Sequence, residues 1–206
     1  MEKRNKRMVI LVGAAVALAV LVGALLLFVG GSGSPETATI RYLTALFHFD
    51  YEGMNRYSAI HFEKAVEEAC RANGRSGQKL ADMLHEEYGV KTAKALFTRQ
   101  GRELTRNWQE EFGRDYKVTF RVTETAPLSG AEMWDAFEDL KRWYFKSLDA
   151  VVRPDKITEM VEIEVEASIS GSLGADTDEI TIMAVKIDGK WRVLDVEIML
   201  SLISYA

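Results

Sequence analysis

The chain has 206 residues, with 31 acidic and 26 basic side chains for a net charge of −5, three histidines and one cysteine. Four of the cations fall in residues 1–7, so the remainder holds 22 basic and 30 acidic groups, a balance of −8, which argues against nucleic acid, whose phosphates demand a basic surface. Cys70 alone permits no intramolecular disulfide, and His48, His61 and His85 show no metal-ligand spacing, so neither a disulfide framework nor a zinc site is expected.

Residues 1–7 contain Lys3, Arg4, Lys6 and Arg7 and read as a cytoplasmic basic tail, because cations flanking a span tend to stay inside. Met8 to Val29 is MVILVGAAVALAVLVGALLLFV, uncharged throughout. At ~1.5 Å per helical residue it reaches roughly 33 Å, enough for the ~30 Å hydrocarbon core of a bilayer. Residues 8–30 are therefore expected to form a single-pass transmembrane helix, with 8–29 in contact with lipid and everything after Gly31 extracytoplasmic. The apolar run exceeds the ~7 to 15 residues of a secretory signal core, and residues 26–36 offer no cysteine for acylation, so a retained signal-anchor is preferred over a cleaved signal or a lipoprotein. Ala15, Ala19 and Gly23 form a small-residue stripe of the kind that lets helices approach closely. A homo-oligomer or an envelope protein complex is the corresponding partner expectation.

Residues 31–34 finish a Gly/Ser tether, and residues 35–206 are expected to be one domain. Ser34-Pro35-Glu36 signals a helix start: a serine cap, proline at the first position and an acid at the positive end of the dipole. Ile40, Tyr42, Leu43, Leu46, Phe47 and Phe49 give this helix a broad apolar face, and Asp50-Tyr51-Glu52-Gly53 is expected to end it. A short helix over Met54 to Ser58 follows. The next begins near His61, with Phe62, Ala65, Val66, Ala69 and Cys70 on one face, which makes Cys70 a buried side chain rather than a reactive thiol. After the break at Asn73 to Gly77, helix resumes from Gln78 to about Phe112, with Gly89 and Gly101 as candidate interruptions.

At Tyr116 the apolar period changes from near 3.6 to 2, since Tyr116, Val118, Phe120 and Val122 alternate with polar residues. Ser129-Gly130-Ala131-Glu132 is a capping box, opening a helix whose Met133, Phe137, Leu140, Tyr144 and Leu148 share a face, and Pro154 closes the connection after it. Val161, Ile163, Val165, Ala167 and Ile169 alternate with Glu162, Glu164, Glu166 and Ser168 as a strand. Gly171 to Asp178 is expected as loop. In the next strand the apolar phase slips between Ile182 and Met183, which implies either a bulge or burial of both faces. Asp188-Gly189 is a two-residue type I′ hairpin turn, leading into Trp191, Val193, Leu194, Val196 and Ile198. The element order predicts an α+β domain with helices packed on one face of a curved antiparallel sheet.

Two phrases, FHFDYEGMNRYSA (Phe47 to Ala59) and VKIDGKWRVLDV (Val185 to Val196), resemble the NTF2-like (cystatin-like) superfamily, and in particular its membrane-anchored or secreted members in Gram-positive bacteria. The resemblance implies a pocket between sheet and helices. Enzymes similar to it, such as ketosteroid isomerases and polyketide cyclases, place an Asp, His or Tyr there, while other members are binders or assembly modules. Here the corresponding pocket candidates are His48, Asp50 and Tyr51. A histidine with a carboxylate is the minimum equipment for proton transfer, but two residues apart on a helix they do not share a face, so cap or surface roles are preferred. The glutamates of the Val161 strand read as a solvated face rather than a cation site. No catalytic, metal or cofactor residue is assigned. The preferred function is a non-catalytic extracytoplasmic binding or assembly module. A subunit of a membrane-spanning secretion or conjugation complex and a small pocket enzyme are the alternatives, and Trp191 is the candidate interaction residue should it prove exposed.

Overall fold

The computed structural model describes residues 33–72, 77–143, 146 and 148–196. The expected tail and membrane span, the break over residues 73–76, Tyr144 and Ile198 lie outside them. Among the described residues no helix is long and apolar enough to cross a membrane.

The first helix, α1 (Pro35–Phe47), starts where its signal puts it, with the Ser34 hydroxyl accepting from the Thr37 N–H at 3.2 Å and Pro35 in the first turn. Its face is fully covered at Ala38, Tyr42 and Leu43. The end of α1 differs from expectation. Phe49 adopts the left-handed region, φ 53, its N–H bonds to the Leu46 carbonyl at 3.0 Å, and the Asp50 N–H bonds to the Ala45 carbonyl at 2.8 Å. These two bonds are a Schellman closure. Asp50 then caps α2 (Tyr51–Tyr57), accepting from the Gly53 N–H at 3.0 Å. The Asp50 to Gly53 phrase therefore opens the second helix instead of closing the first.

Phenylalanine in that position strains the backbone by about 1–2 kcal/mol. Its side chain supplies the compensation: the Phe49 ring packs on Trp108 at 5.9 Å and on Phe97 at 6.0 Å between centroids. It does so because Gly101 has no Cβ, and a Cβ built there would overlap the ring. Gly101 therefore does not interrupt its helix, as the sequence reading expected; it is a buried recess inside α5 (Ala93–Phe112). Gly89 does end α4 (Leu80–Tyr88), at φ 68. The preceding helix, α3 (Phe62–Ala72), buries Phe62, Val66 and Cys70.

The sheet is antiparallel and four-stranded in the order β1 (Lys117–Pro127), β2 (Ile157–Ser170), β3 (Ala175–Ile187) and β4 (Lys190–Leu194). The pairing register shifts between Val122 and Glu124 and again between Ile157 and Glu159. Between β1 and β2 lies α6 (Gly130–Trp143), whose Glu132 carboxylate accepts from the Ser129 N–H at 2.8 Å as the capping box requires. The same contact with Ser129 holds the Glu132 carboxyl below its ordinary pKa. Leu148 does not continue α6; it lies in a four-residue helix, α7 (Leu148–Val151), and Pro154 begins a 3-10 turn.

Two strand expectations are resolved by the register. The turn between β2 and β3 spans only residues 171–174, because Ala175 to Asp178 pair with Ser170 to Ala167. Those β3 residues are exposed, and their polarity reflects a solvated sheet end, not a loop. At the phase slip the pairing runs unbroken through Ile182 and Met183, so there is no bulge there and both faces are used. Ile182 and Ala184 share a face with Ile163 and Val161, while Val185 lies opposite Met160 on the other face, and all are buried. Met160, Val185 and Leu194 belong to the same buried hydrophobic cluster as Val161, Ile163, Ile182 and Ala184.

The interior is closed by aromatic rings. Phe47 stacks on Trp108 at 5.4 Å and meets Phe120 edge-on at 5.1 Å, and Phe97 continues the chain to Phe62 at 5.4 Å. The recess at Gly101 gives a test: Gly101→Ala should destabilise the chain by about 1–3 kcal/mol through overpacking, despite the better helix propensity of alanine. Urea unfolding would read it, and a neutral or stabilised variant would show that Phe49 does not occupy that recess.

Candidate functional site

The Schellman closure and the α2 cap decide the fate of two sequence-stated candidates. His48 is exposed at the C-cap of α1, with Nδ1 2.9 Å from the Thr44 carbonyl, beside a surface cleft of about 440 Å³ that Phe47, Phe49, Tyr116 and Lys117 also line. Asp50 is exposed and engaged by the Gly53 N–H. Each side chain thus serves a different helix end. Tyr51 is half-buried, its ring edge-on to Phe62 at 6.2 Å and to Phe97 at 5.7 Å. Burial first, then the charge of Glu63, raises its phenol pKa, with Asn55 pulling the other way, so it is protonated at neutral pH and is no ready base.

Trp191 leads to a different place. It is 6% exposed, next to the hairpin turn formed by Asp188 (φ 50) and Gly189 (φ 74), and Lys186, its cross-strand partner, sits over the ring at 5.6 Å. The indole forms part of the wall of a cleft of about 230 Å³ lined also by Arg41, Arg56, Tyr57, Lys190 and Arg192. Four of the six lining residues are cations and none is a carboxylate. In a chain of net charge −5, that local composition selects for anions.

The cleft is assembled by contacts that secondary-structure reading does not reveal. Asn55 on α2 accepts from the Phe62 N–H at 2.8 Å and donates to the Tyr51 carbonyl at 2.9 Å, fixing the corner between α2 and α3. Ser58 forms an isolated bridge with Val193, and the Ala59 N–H donates to the Val193 carbonyl at 2.7 Å, so the end of α2 lies along the outer edge of β4. Across that seam Arg192 Nη1 donates to the carbonyls of Arg56 and Ser58 at 3.2 and 3.3 Å. A cation at a helix C-terminus is favourable in itself, since the unpaired carbonyls carry the negative end of the dipole. The guanidinium is thereby fixed in orientation, with Nη2 and Nε left to donate elsewhere. Arg41 Nη1 donates to the Tyr57 hydroxyl at 3.3 Å and the guanidinium lies 5.7 Å from that ring. Arg56 and Lys190 are exposed, and neither has an ion-pair partner among the described residues. No group of three or more metal-ligating side chains occurs among the described residues, and Glu166, on the strand weighed as a cation site, is paired with Arg121 at 2.7 Å.

The chain matches no family model and no curated protein. Among solved structures it is similar to a cystatin-like protein from Ruminococcus gnavus, with 19% identity and a TM-score of 0.34 over 79% of this chain. The chain spans 40% of the length of that structure.

The wall of the cleft can be tested by ranking two substitutions. Trp191→Ala should cost roughly 3–5 kcal/mol, as expected for removal of a buried indole. Gly189→Val should cost about 1–3 kcal/mol of backbone strain, because a β-branched residue resists the positive φ of the turn. Urea unfolding of both variants checks the order; a neutral Trp191→Ala would contradict the burial described here.

Proposed function

We propose that the chain is a membrane-anchored, extracytoplasmic binding or assembly module of the NTF2-like kind, non-catalytic, held at the cell envelope by residues 8–29 and binding its partner at the cationic cleft beside Trp191. The observation that carries the reading is the cleft itself, where Arg56, Lys190 and Arg192 converge beside two aromatic rings with no carboxylate in the lining. The engagement of His48 and Asp50 at helix ends supports binding over proton transfer, as neither is oriented toward the other's chemistry.

The anchor part rests on the uncharged run from Met8 to Val29 and the four cations before it. The capped start of α1 at Ser34 leaves only Gly30 to Gly33 between the expected membrane end and the packed domain. A module so tethered works within a few nanometres of the bilayer, which suits a part that recruits or organises partners at the envelope.

Protease treatment of intact spheroplasts tests the placement. The domain after Ser34 should be digested from outside while a fragment containing residues 8–29 stays with the membrane. Protection of the domain, or release of a soluble form beginning near Ser32, would overturn it.

A further inference from the structure

We infer that the cleft between α2 and the β3–β4 hairpin is a phosphate site, taking a phosphate group either free or as the headgroup of an anionic lipid; this rests on the cleft being the binding face proposed above. Three features select phosphate within the wider class of anions. The first is the fork of Arg192, whose Nη1 is held by the Arg56 and Ser58 carbonyls while Nε and Nη2 remain available as donors. A planar, pre-oriented guanidinium suits bidentate contact with two oxygens of one group.

The second is the source of the other cations. Arg56 comes from the end of α2 and Lys190 from the start of β4, just after the turn, and both line the same cleft as Arg192 without an ion-pair partner among the described residues. A carboxylate is saturated by one fork, having two oxygens. A phosphate group presents a third oxygen and carries about −1.5 to −2 charge at neutral pH, so it can use the fork and the additional cations together. The third is fixation before binding. The hairpin turn at Asp188 and Gly189 and the seam between Ala59 and Val193 set the positions of the backbones that carry Lys190, Arg192 and Arg56, which lowers the ordering cost of capturing an anion.

The test uses the full chain in nonionic detergent, titrated calorimetrically with inorganic phosphate, with short-chain phosphatidic acid and with succinate. Saturable binding of a phosphate compound is expected, falling at least about tenfold in Arg56→Gln/Lys190→Gln and in Arg192→Lys, which keeps the charge but loses the fork. The double variant alters only exposed side chains, and its thermal unfolding should match the parent, so a loss of binding reads the site. Tighter binding of inorganic phosphate identifies a free anion as the source, and tighter binding of phosphatidic acid identifies a headgroup. Succinate binding that the variants weaken, with no phosphate binding, would overturn the phosphate assignment and leave the binding face standing. No saturable binding of any of the three, or phosphate binding unchanged in the variants, would overturn both.

Discussion

Burial of α1 is the constraint on which the rest of this structure depends. The helix is packed against α2, β1, β3 and β4, and its Ala38, Tyr42 and Leu43 have no exposed surface. Each large apolar side chain so buried contributes roughly 1.5–3 kcal/mol, which together outweighs the strain of closing the helix on Phe49. The Tyr42 hydroxyl reaches Asp195 at 3.2 Å, tying the first helix to the residue just beyond the last strand. Burial, then the charge and hydrogen bond of Asp195, raise the Tyr42 pKa well above its usual value. The phenol therefore donates throughout the physiological range, and this contribution is fully present below the ordinary phenol pKa and is lost as pH rises from there through the raised folded value.

From that helix the positions of the other parts follow. The Schellman closure turns the chain so that Asp50 caps α2, and α2 then runs to the edge of β4, where Ser58 and Ala59 meet Val193. That covering matters for the sheet as well, because an unprotected edge strand invites pairing with other chains. The opposite edge, β1, is guarded differently, by a register shift after Val122, by Lys117, Arg121 and Glu124, and by Pro127 at its end. The cationic cleft is thus a by-product of how the β4 edge is closed: the carbonyls at the end of α2 need a donor, Arg192 supplies it, and Arg192 lines the cleft beside that seam.

Local chemistry made much of the fold legible in the sequence. The cap at Ser34, the capping box at Ser129, the alternation of Val161 to Ile169 and the Asp188-Gly189 turn all act within a few residues, and each appears where its signal lies. What escaped is what depends on distant partners. Gly101 reads as a helix interruption unless Phe49 is known to lie against it, and the polar Asp176 to Asp178 stretch reads as loop unless its pairing with β2 is known. The site shows the same division. His48, Asp50 and Tyr51 stood out because they are adjacent in sequence, yet they are distributed between helix ends and the aromatic core. Arg56 and Arg192, 136 residues apart, carry no shared local signal, and only the pairing of α2 with β4 brings them together. Trp191 was the one sequence landmark on that cleft, and its value lay in the turn that precedes it.

Hydrogen exchange of the full chain, followed peptide by peptide, tests the central place of α1 most directly. If α1 is the element around which the domain closes, its amides from Thr39 to Phe47 should exchange in the slowest class, together with the paired cores of β2 and β3, since only global unfolding would expose them. Exchange of α1 orders of magnitude faster than those strands would mean that the helix opens independently of the sheet, and would contradict the account.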